Sequence, residues 1–505
     1  MMERRRLFAL PVRRALPARR ALSVPPAALA MLAALALTAA SARAQRPLTL
    51  QQSIDLAQRQ GLQARAAESS RDAARRRDRA FTARRLPQLS LTGDLPVYNR
   101  SIIEVLQPDG STEFRAQRQT NAALNLQMSQ RLPVTGGSFF ISSALSRLEV
   151  NGERDIRNYS STPLSVGIRQ DILRPNAFKW DGREQDLRSE AAERQYLEAR
   201  EDVAIAVTQS FFDLYTARLD LQNATRNAAV NDTLYTLNKG RFEVGTIGEN
   251  DLLQSELALL RSRNALDAAR LEQQRAAAAL RLLLNLGPAE PFAIAASTTV
   301  PQFQPDTLVA VTEARRNRAL GSEAELQEVQ SRRRLAEARL NNGLGATVQA
   351  SYGFNATGTD ARAAYSNLLE ARQFTLSVEV PLLQWGLRKE SIQAARADQD
   401  RVRSESRAAL DAAAQEAHFA VLELLQARST LALSAKADTV AGRRFDVAYN
   451  RYVIGRIDID NLYFAQGEKD QAVAQFVQAL RGYWVAYYRL RRVTLFDFET
   501  GQPLR

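Results

Sequence analysis

The sequence predicts an α+β chain built mainly of long α-helical hairpins, with a smaller set of strands, as two structural repeats. Three observations carry this. First, Arg241-Phe242-Glu243-Val244-Gly245-Thr246-Ile247 returns 210 residues later as Arg451-Tyr452-Val453-Ile454-Gly455-Arg456-Ile457. Each copy interrupts an Ala/Leu/Arg/Glu-rich helical pattern with one Gly and resumes behind Asp251-Leu252 or Asn461-Leu462. Gly relaxes the backbone at a hairpin tip, and a short polar side chain can cap the returning helix. Second, Val203, Val207, Phe211, Leu214, Ala217 and Leu221 follow a coiled-coil spacing. The same offset lands on Ala413, Ala417, Val421, Leu424, Ala427 and Leu431, all apolar. Third, Ser165-Val166-Gly167-Ile168 matches the alternating Thr375-Leu376-Ser377-Val378 at 210 again. Agreement at constant offset over such distances indicates a duplicated architecture.

In chain order, residues 1–44 read as an export signal. Arg4-Arg5-Arg6 precedes an apolar run from Ala27 to Ala40, and Ala42-Arg43-Ala44 before Gln45 is a cleavage signature. The run is short for a membrane anchor. Arg5-Arg6-Leu7-Phe8 stands too far from it for a twin-arginine signal. The precursor carries a net charge of +13, but the signal holds 8 of its 68 basic residues and 1 of its 55 acidic ones. The remainder carries only +6, which removes the case for nucleic-acid binding. With no Cys, disulfides, thiol catalysis, thiolate metal sites and a lipid-anchored N-terminus are excluded.

Repeat 1 spans 45–286. A helix from Leu48 to about Arg85 is stopped by Pro87, and Leu89-Ser90-Leu91-Thr92 begins a strand. Upstream, Ala57 matches Ala314 and Arg75-Arg76-Arg77 matches Arg332-Arg333-Arg334 at an offset of 257, so an insertion of 47 residues lies near 95–150. Two further strands fit there, about 121–132 and 138–148. A helix from Trp180 to Asn238 reaches about 88 Å at roughly 1.5 Å per residue, turns at a tip over 239–250, and returns over Asp251–Leu286. Residues 287–307 form a Pro-containing linker. Repeat 2 spans 308–492, with a helix from Leu308 to Asn342, strands within 345–384, a helix from Leu387 to about Thr439, a tip over 450–460 and a return over Asn461–Arg492. The tail is 493–505. Helices of this length must pack along one another, as a bundle or the wall of a tube. The strands, apolar on one face, suit a barrel wall in a bilayer or a soluble sandwich.

In Leu86-Pro87-Gln88-Leu89-Ser90-Leu91, Val380-Pro381-Leu382-Leu383-Gln384-Trp385-Gly386, and the two tips around Gly245 and Gly455, the chain resembles the TolC family of outer-membrane efflux proteins. The resemblance covers essentially everything after the signal. It implies a homotrimer with a joint transmembrane β-barrel and a long periplasmic α-barrel. It also implies an equatorial collar, here 287–307 and the chain after Val493. The implied role is a passive exit duct, with no catalysis and no cofactor, for tripartite efflux or type I secretion. An inner-membrane pump would supply the energy, and a periplasmic adaptor would dock on the tips: Arg241, Phe242, Val244, Gly245, Thr246, Ile247, Arg451, Tyr452, Ile454, Gly455, Arg456 and Ile457. The family has four strands per protomer, so the insertion either makes six or forms an external hairpin. Family members narrow the entrance with aspartates on the second tip. The matching positions here are Asn461 and Phe464, with Asp458 and Asp460 close by and Asp251 on the first tip; these are the candidate gate, or turn residues that cap the helix.

Other chemistry is poorly supported. His418, the only His, sits mid-helix, where a structural or pore-facing role outweighs that of a ligand or base. No Gly-rich phosphate loop precedes a helix. Tyr483, Trp484, Tyr487 and Tyr488 read as interhelical core. A periplasmic adaptor is the alternative function, but it usually has one helical hairpin rather than two. An enzyme would need converging acids or a nucleophile, and none stands out.

Overall fold

A computed structural model describes residues 47–151, 155–288 and 290–505. The expected signal, 1–44, lies outside them. Contacts divide the chain into two units. The described part of the smaller is residues 47–48 with Pro291–Ala295, joined by a parallel bridge between Leu48 and Ile294. The larger, Thr49–Glu290 with Ala296–Arg505, holds every helix and strand of the described residues.

The larger unit begins with α1 (Leu50–Gln60) and α2 (Leu62–Ala83). Thr49 opens α1 with a capping box: its side chain accepts from Gln52 N, and the Gln52 side chain accepts from Thr49 N. The sequence predicts one helix here; the structure breaks it at Gly61, which is extended at ψ 144°. The second predicted helix breaks likewise, into α5 (Thr307–Asn317) and α6 (Ala319–Asn341), at Arg318 with ψ 149°. Positions 61 and 318 differ by 257, the offset found in the sequence. The polar groups freed by each break find partners. Asn285 donates to the Gln60 carbonyl at 3.2 Å. Arg194 donates to the Arg318 carbonyl at 3.2 Å, and Ala319 N donates to the Glu198 carboxylate at 3.0 Å.

Six strands form one antiparallel sheet in sequence order: β1 (Gln88–Leu106), β2 (Thr112–Arg131), β3 (Ser138–Asn151), β4 (Ile156–Ile172), β5 (Gly345–Gly358) and β6 (Leu369–Glu379). The inserted segment supplies β2 and β3, which stand between β1 and β4. Directly paired residues share a face, so the pairings sort the sheet into two surfaces. One carries Leu89 and Leu91, Leu124 and Leu126, Ile141 and Leu145, Val166 and Ile168, Val348 and Ala350, and Phe374 and Leu376. The other carries Ser90 and Thr92, Asn125 and Gln127, Ser142, Ser165, Gln349 and Ser351, and Thr375 and Ser377.

The long helices exceed their predicted lengths. α3 (Ala177–Glu243) and α7 (Leu387–Val453) each run 67 residues, with bounds 210 apart at both ends. At roughly 1.5 Å per residue each reaches about 100 Å. They return as α4 (Glu249–Leu283) and α8 (Ile459–Thr494). Each long helix packs on its return helix, α3 also on α8 and α6, and α7 on α5 and α6. Most of the predicted seam is buried: Val203, Val207, Phe211, Leu214 and Ala217 on α3, Ala413, Ala417, Val421, Leu424 and Leu431 on α7, while Leu221 and Ala427 are half-buried. A short strand pair, β7 (Phe496–Asp497) and β8 (Gln502–Pro503), ends the chain. Tyr483, Tyr487 and Tyr488 are buried, as their pattern predicts. Tyr483 donates to the Pro301 carbonyl at 3.0 Å, and its burial pushes its pKa up to about 12. His418 is exposed, edge-on to Phe419.

Two tests follow from the packing. Phe211, fully buried and 5.6 Å from the Phe212 ring, should not tolerate Phe211→Asp. The lost packing and the buried charge should together cost roughly 3–5 kcal/mol or more, read as a lower melting temperature. The second concerns Arg491, which binds Glu201 at 3.2 Å and Asp497 at 2.9 Å. Burial holds the Glu201 carboxyl above its ordinary range, against the pull of Arg491. Arg491→Met leaves that carboxylate buried without its partner, at a cost of roughly 3–5 kcal/mol at pH 7. Because a raised carboxyl pKa favours the folded state at low pH and loses that advantage as pH rises, the deficit of the variant should shrink toward about pH 4.

Candidate functional site

The helical tips turn by the same geometry. At the first, Gly245 is left-handed at φ +74°; its N–H reaches the Phe242 carbonyl and that of Thr246 the Arg241 carbonyl, both at 2.9 Å. At the second, Gly455 has φ +72°, with Tyr452 accepting from Gly455 and Arg451 from Arg456, again at 2.9 Å. These paired bonds are the Schellman ending, which satisfies the last carbonyls of a helix. The returning helices start earlier than predicted. Their N-cap positions are Gly248 and Asp458, and neither caps with a side chain. Asp251 and Asp460 lie in the first turns instead, where carboxylates favour the positive end of the helix dipole, and Asn461 follows within the second returning helix. None of the four candidate gate residues is therefore a side-chain cap.

The two tips meet. Arg241, Thr246, Ile247 and Asp251 from the first, with Tyr452, Ile457, Asp458 and Asp460 from the second, line one cleft of about 530 Å³. Asp460 accepts from Gln254 at 2.6 Å, tying the second turn to α4. Asn461 is exposed and outside the residues lining this cleft. Of the twelve tip residues, Phe242, Val244, Gly245, Thr246, Arg451, Ile454, Gly455 and Arg456 are exposed. Tyr452 is not. It is 6% exposed, joins Leu234, Ile459 and Leu462 in a buried cluster, and donates to Asn238 Oδ1 at 3.0 Å. The Arg241 guanidinium lies 5.6 Å from its ring. Tyr452 thus binds the hairpins to each other and offers little surface to a partner.

Asn238 and Gln254 were not singled out by sequence reasoning, and neither was Asn231. The signal existed for the two asparagines. Asn231 and Asn238 continue the α3 seam at heptad spacing from Ala217, and both are buried. A polar residue at a seam position specifies register at some cost in stability.

An added Cβ at Gly455 would meet nothing within 4 Å, so space is not what demands glycine there. The backbone conformation does: a left-handed residue costs most non-glycine side chains roughly 1–2 kcal/mol, and Asn the least. Gly455→Asn should therefore melt close to the unsubstituted chain. Gly455→Val should lose at least about 1 kcal/mol, or a few degrees.

No protein-family profile matches the sequence, and no curated protein matches it. Solved structures do. The CmeC outer membrane channel of Campylobacter jejuni superposes with a TM-score of 0.63 at 16% identity, covering 90% of this chain and 86% of that one. The outer membrane protein VceC of Vibrio cholerae gives 0.63 at 13% identity, over 90% and 97%. The open state of the MtrE outer membrane channel of Neisseria gonorrhoeae gives 0.61 at 14% identity, over 88% of each chain. The chain has the fold of the TolC-type outer-membrane channels.

Proposed function

We propose that this protein is an outer-membrane channel: the passive exit duct of a tripartite efflux or type I secretion system, formed by three copies of the chain. One observation carries the reading, the two-faced sheet. Its apolar face spans Ala346 to Phe354 on β5, within the roughly 9–11 residues a tilted strand needs to cross a bilayer. The same face also carries Tyr98, Tyr159 and Tyr352 and the ion pairs Arg157–Glu149 and Arg372–Glu370. Aromatic side chains on a bilayer-facing wall suit the girdles of a membrane–water interface. The opposite face, of Ser, Thr, Asn and Gln, suits an aqueous lumen. No helix of the described residues is long and apolar enough to cross a membrane, so the strands are the spanning elements of this reading.

The two tips supply the periplasmic end, where an adaptor would dock on the exposed Phe242, Val244, Arg451, Ile454 and Arg456. Asp251, Asp458 and Asp460, multiplied by three about an axis, would ring the entrance with negative charge that attracts cations and repels itself. An inner-membrane pump supplies the energy and selects the cargo. A periplasmic adaptor is the alternative; the six-stranded sheet with one continuous apolar face weighs against it. Membrane fractionation is the test. The channel should be recovered in the outer-membrane fraction as a trimer that runs intact on unheated gels, and its loss should sensitise cells to a panel of toxic compounds. A monomer in the soluble periplasmic fraction would overturn the reading.

A further inference from the structure

We infer that the two free edges of the sheet join between copies of this chain in a definite register, and that the inserted β2–β3 hairpin stands in the shared wall, so that each copy contributes six strands. This rests on the channel reading and deepens it.

Among the described strands, β1 and β6 each pair on one side only. Their other sides present rows of bare N–H and C=O groups, and Leu89, Leu91, Val380 and Leu382 beside them are exposed apolar residues. A bilayer tolerates no such edge, because nothing there replaces the missing hydrogen bonds. The edges are also close in length. β6 has 11 residues. On β1, the stretch from Gln88 to Arg100, interrupted by an irregularity between Asp94 and Val97, is the part backed by the full sheet, since β2 pairs with β3 only as far as Arg118, opposite Arg100. The rest of β1 and the start of β2 continue as a two-stranded ribbon.

The chain carries its own template for the joint. β5 and β1 begin 257 residues apart, at Gly345 and Gln88, and β6 matches β4 at 210. Within one chain β4 pairs with β5 through Ile168–Ala350, Arg169–Gln349 and Gln170–Val348. Moving each partner by its offset sets Val378 opposite Gly93, Glu379 opposite Thr92, and Val380 opposite Leu91, across two copies. The faces agree with those of the sheet: Leu91 and Val380 fall on the apolar side, Thr92 and Glu379 on the polar side. A slip of one residue would set Leu91 against Glu379 and turn one edge inside out. Three copies of six strands close at eighteen, in the range where β-barrels leave an aqueous channel, rather than the twelve expected from four strands per copy.

The chain has no native Cys, so engineered cross-links read cleanly. Leu91→Cys with Val380→Cys, oxidised in outer-membrane preparations, should give covalent dimers and trimers that collapse with reductant. Leu91→Cys with Leu376→Cys, displaced by about 13 Å along the same face, should not, because a disulfide needs Cα atoms within about 7 Å. Thr92→Cys with Glu379→Cys repeats the test on the opposite face, should the first pair fail to assemble. Absence of cross-links in both matched pairs, or equal cross-linking in the displaced pair, overturns the register. Nitroxides attached at Leu126→Cys and Leu145→Cys should be more accessible to oxygen than to an aqueous relaxant. Aqueous exposure at both would place the hairpin outside the wall and return the count to four. Recovery of the unsubstituted chain outside the outer membrane would sink the channel reading itself, and this inference with it.

Discussion

Two rows of unpaired backbone groups, along β1 and β6, set the terms for the rest of this chain. A sheet with polar residues on one face and apolar residues on the other has to divide water from something that is not water. Its edges cannot be left bare in a bilayer. Leu89 and Leu91 on one side and Val380 and Leu382 on the other stay exposed. In the proposed channel the sheet is complete only as part of a larger one.

The helices obey a related constraint. A helix of 67 residues cannot bury itself in a globular core, so its apolar stripe has to run along another helix. The stripe on α3 mixes small residues, Ala204 and Ala217 among them, with the large Phe211 and Phe212. Buried Asn231 and Asn238 then interrupt the apolar seam. Asn238 bonds Tyr452 across the two hairpins, so the tips are held in one arrangement by the seam that builds the helices. For a proposed docking end this gives a rigid base, with exposed Val244 and Ile454 at the turns.

The breaks at Gly61 and Arg318 show how one geometry is reached by two chemistries. At Gly61 a Cβ would lie 2.4 Å from the Ala57 carbonyl oxygen, so the absent side chain makes room. At Arg318 the break is held by ionic groups: its guanidinium binds Glu416 at 2.7 Å while Glu198 accepts from Ala319 N. Nothing in the local pattern around Arg318 signals a break, because the carboxylate that stabilises it arrives from α3, more than a hundred residues away.

What was legible in the sequence was local and periodic. Gly245 and Gly455 marked the turns, the Val203–Ala217 spacing marked the seam, and the alternation in Phe374–Val380 marked a strand with two faces. Each depends on neighbours a few residues away, where backbone preference and side-chain spacing decide the outcome. The sequence left open where the inserted segment goes, and placed Tyr452 among the residues offered to a partner. Only tertiary structure decided that β2 and β3 stand between β1 and β4, that Tyr452 turns inward to Asn238, and that the helices break at positions 61 and 318. Those outcomes depend on hydrogen-bond partners brought from distant parts of the chain, which no local period encodes.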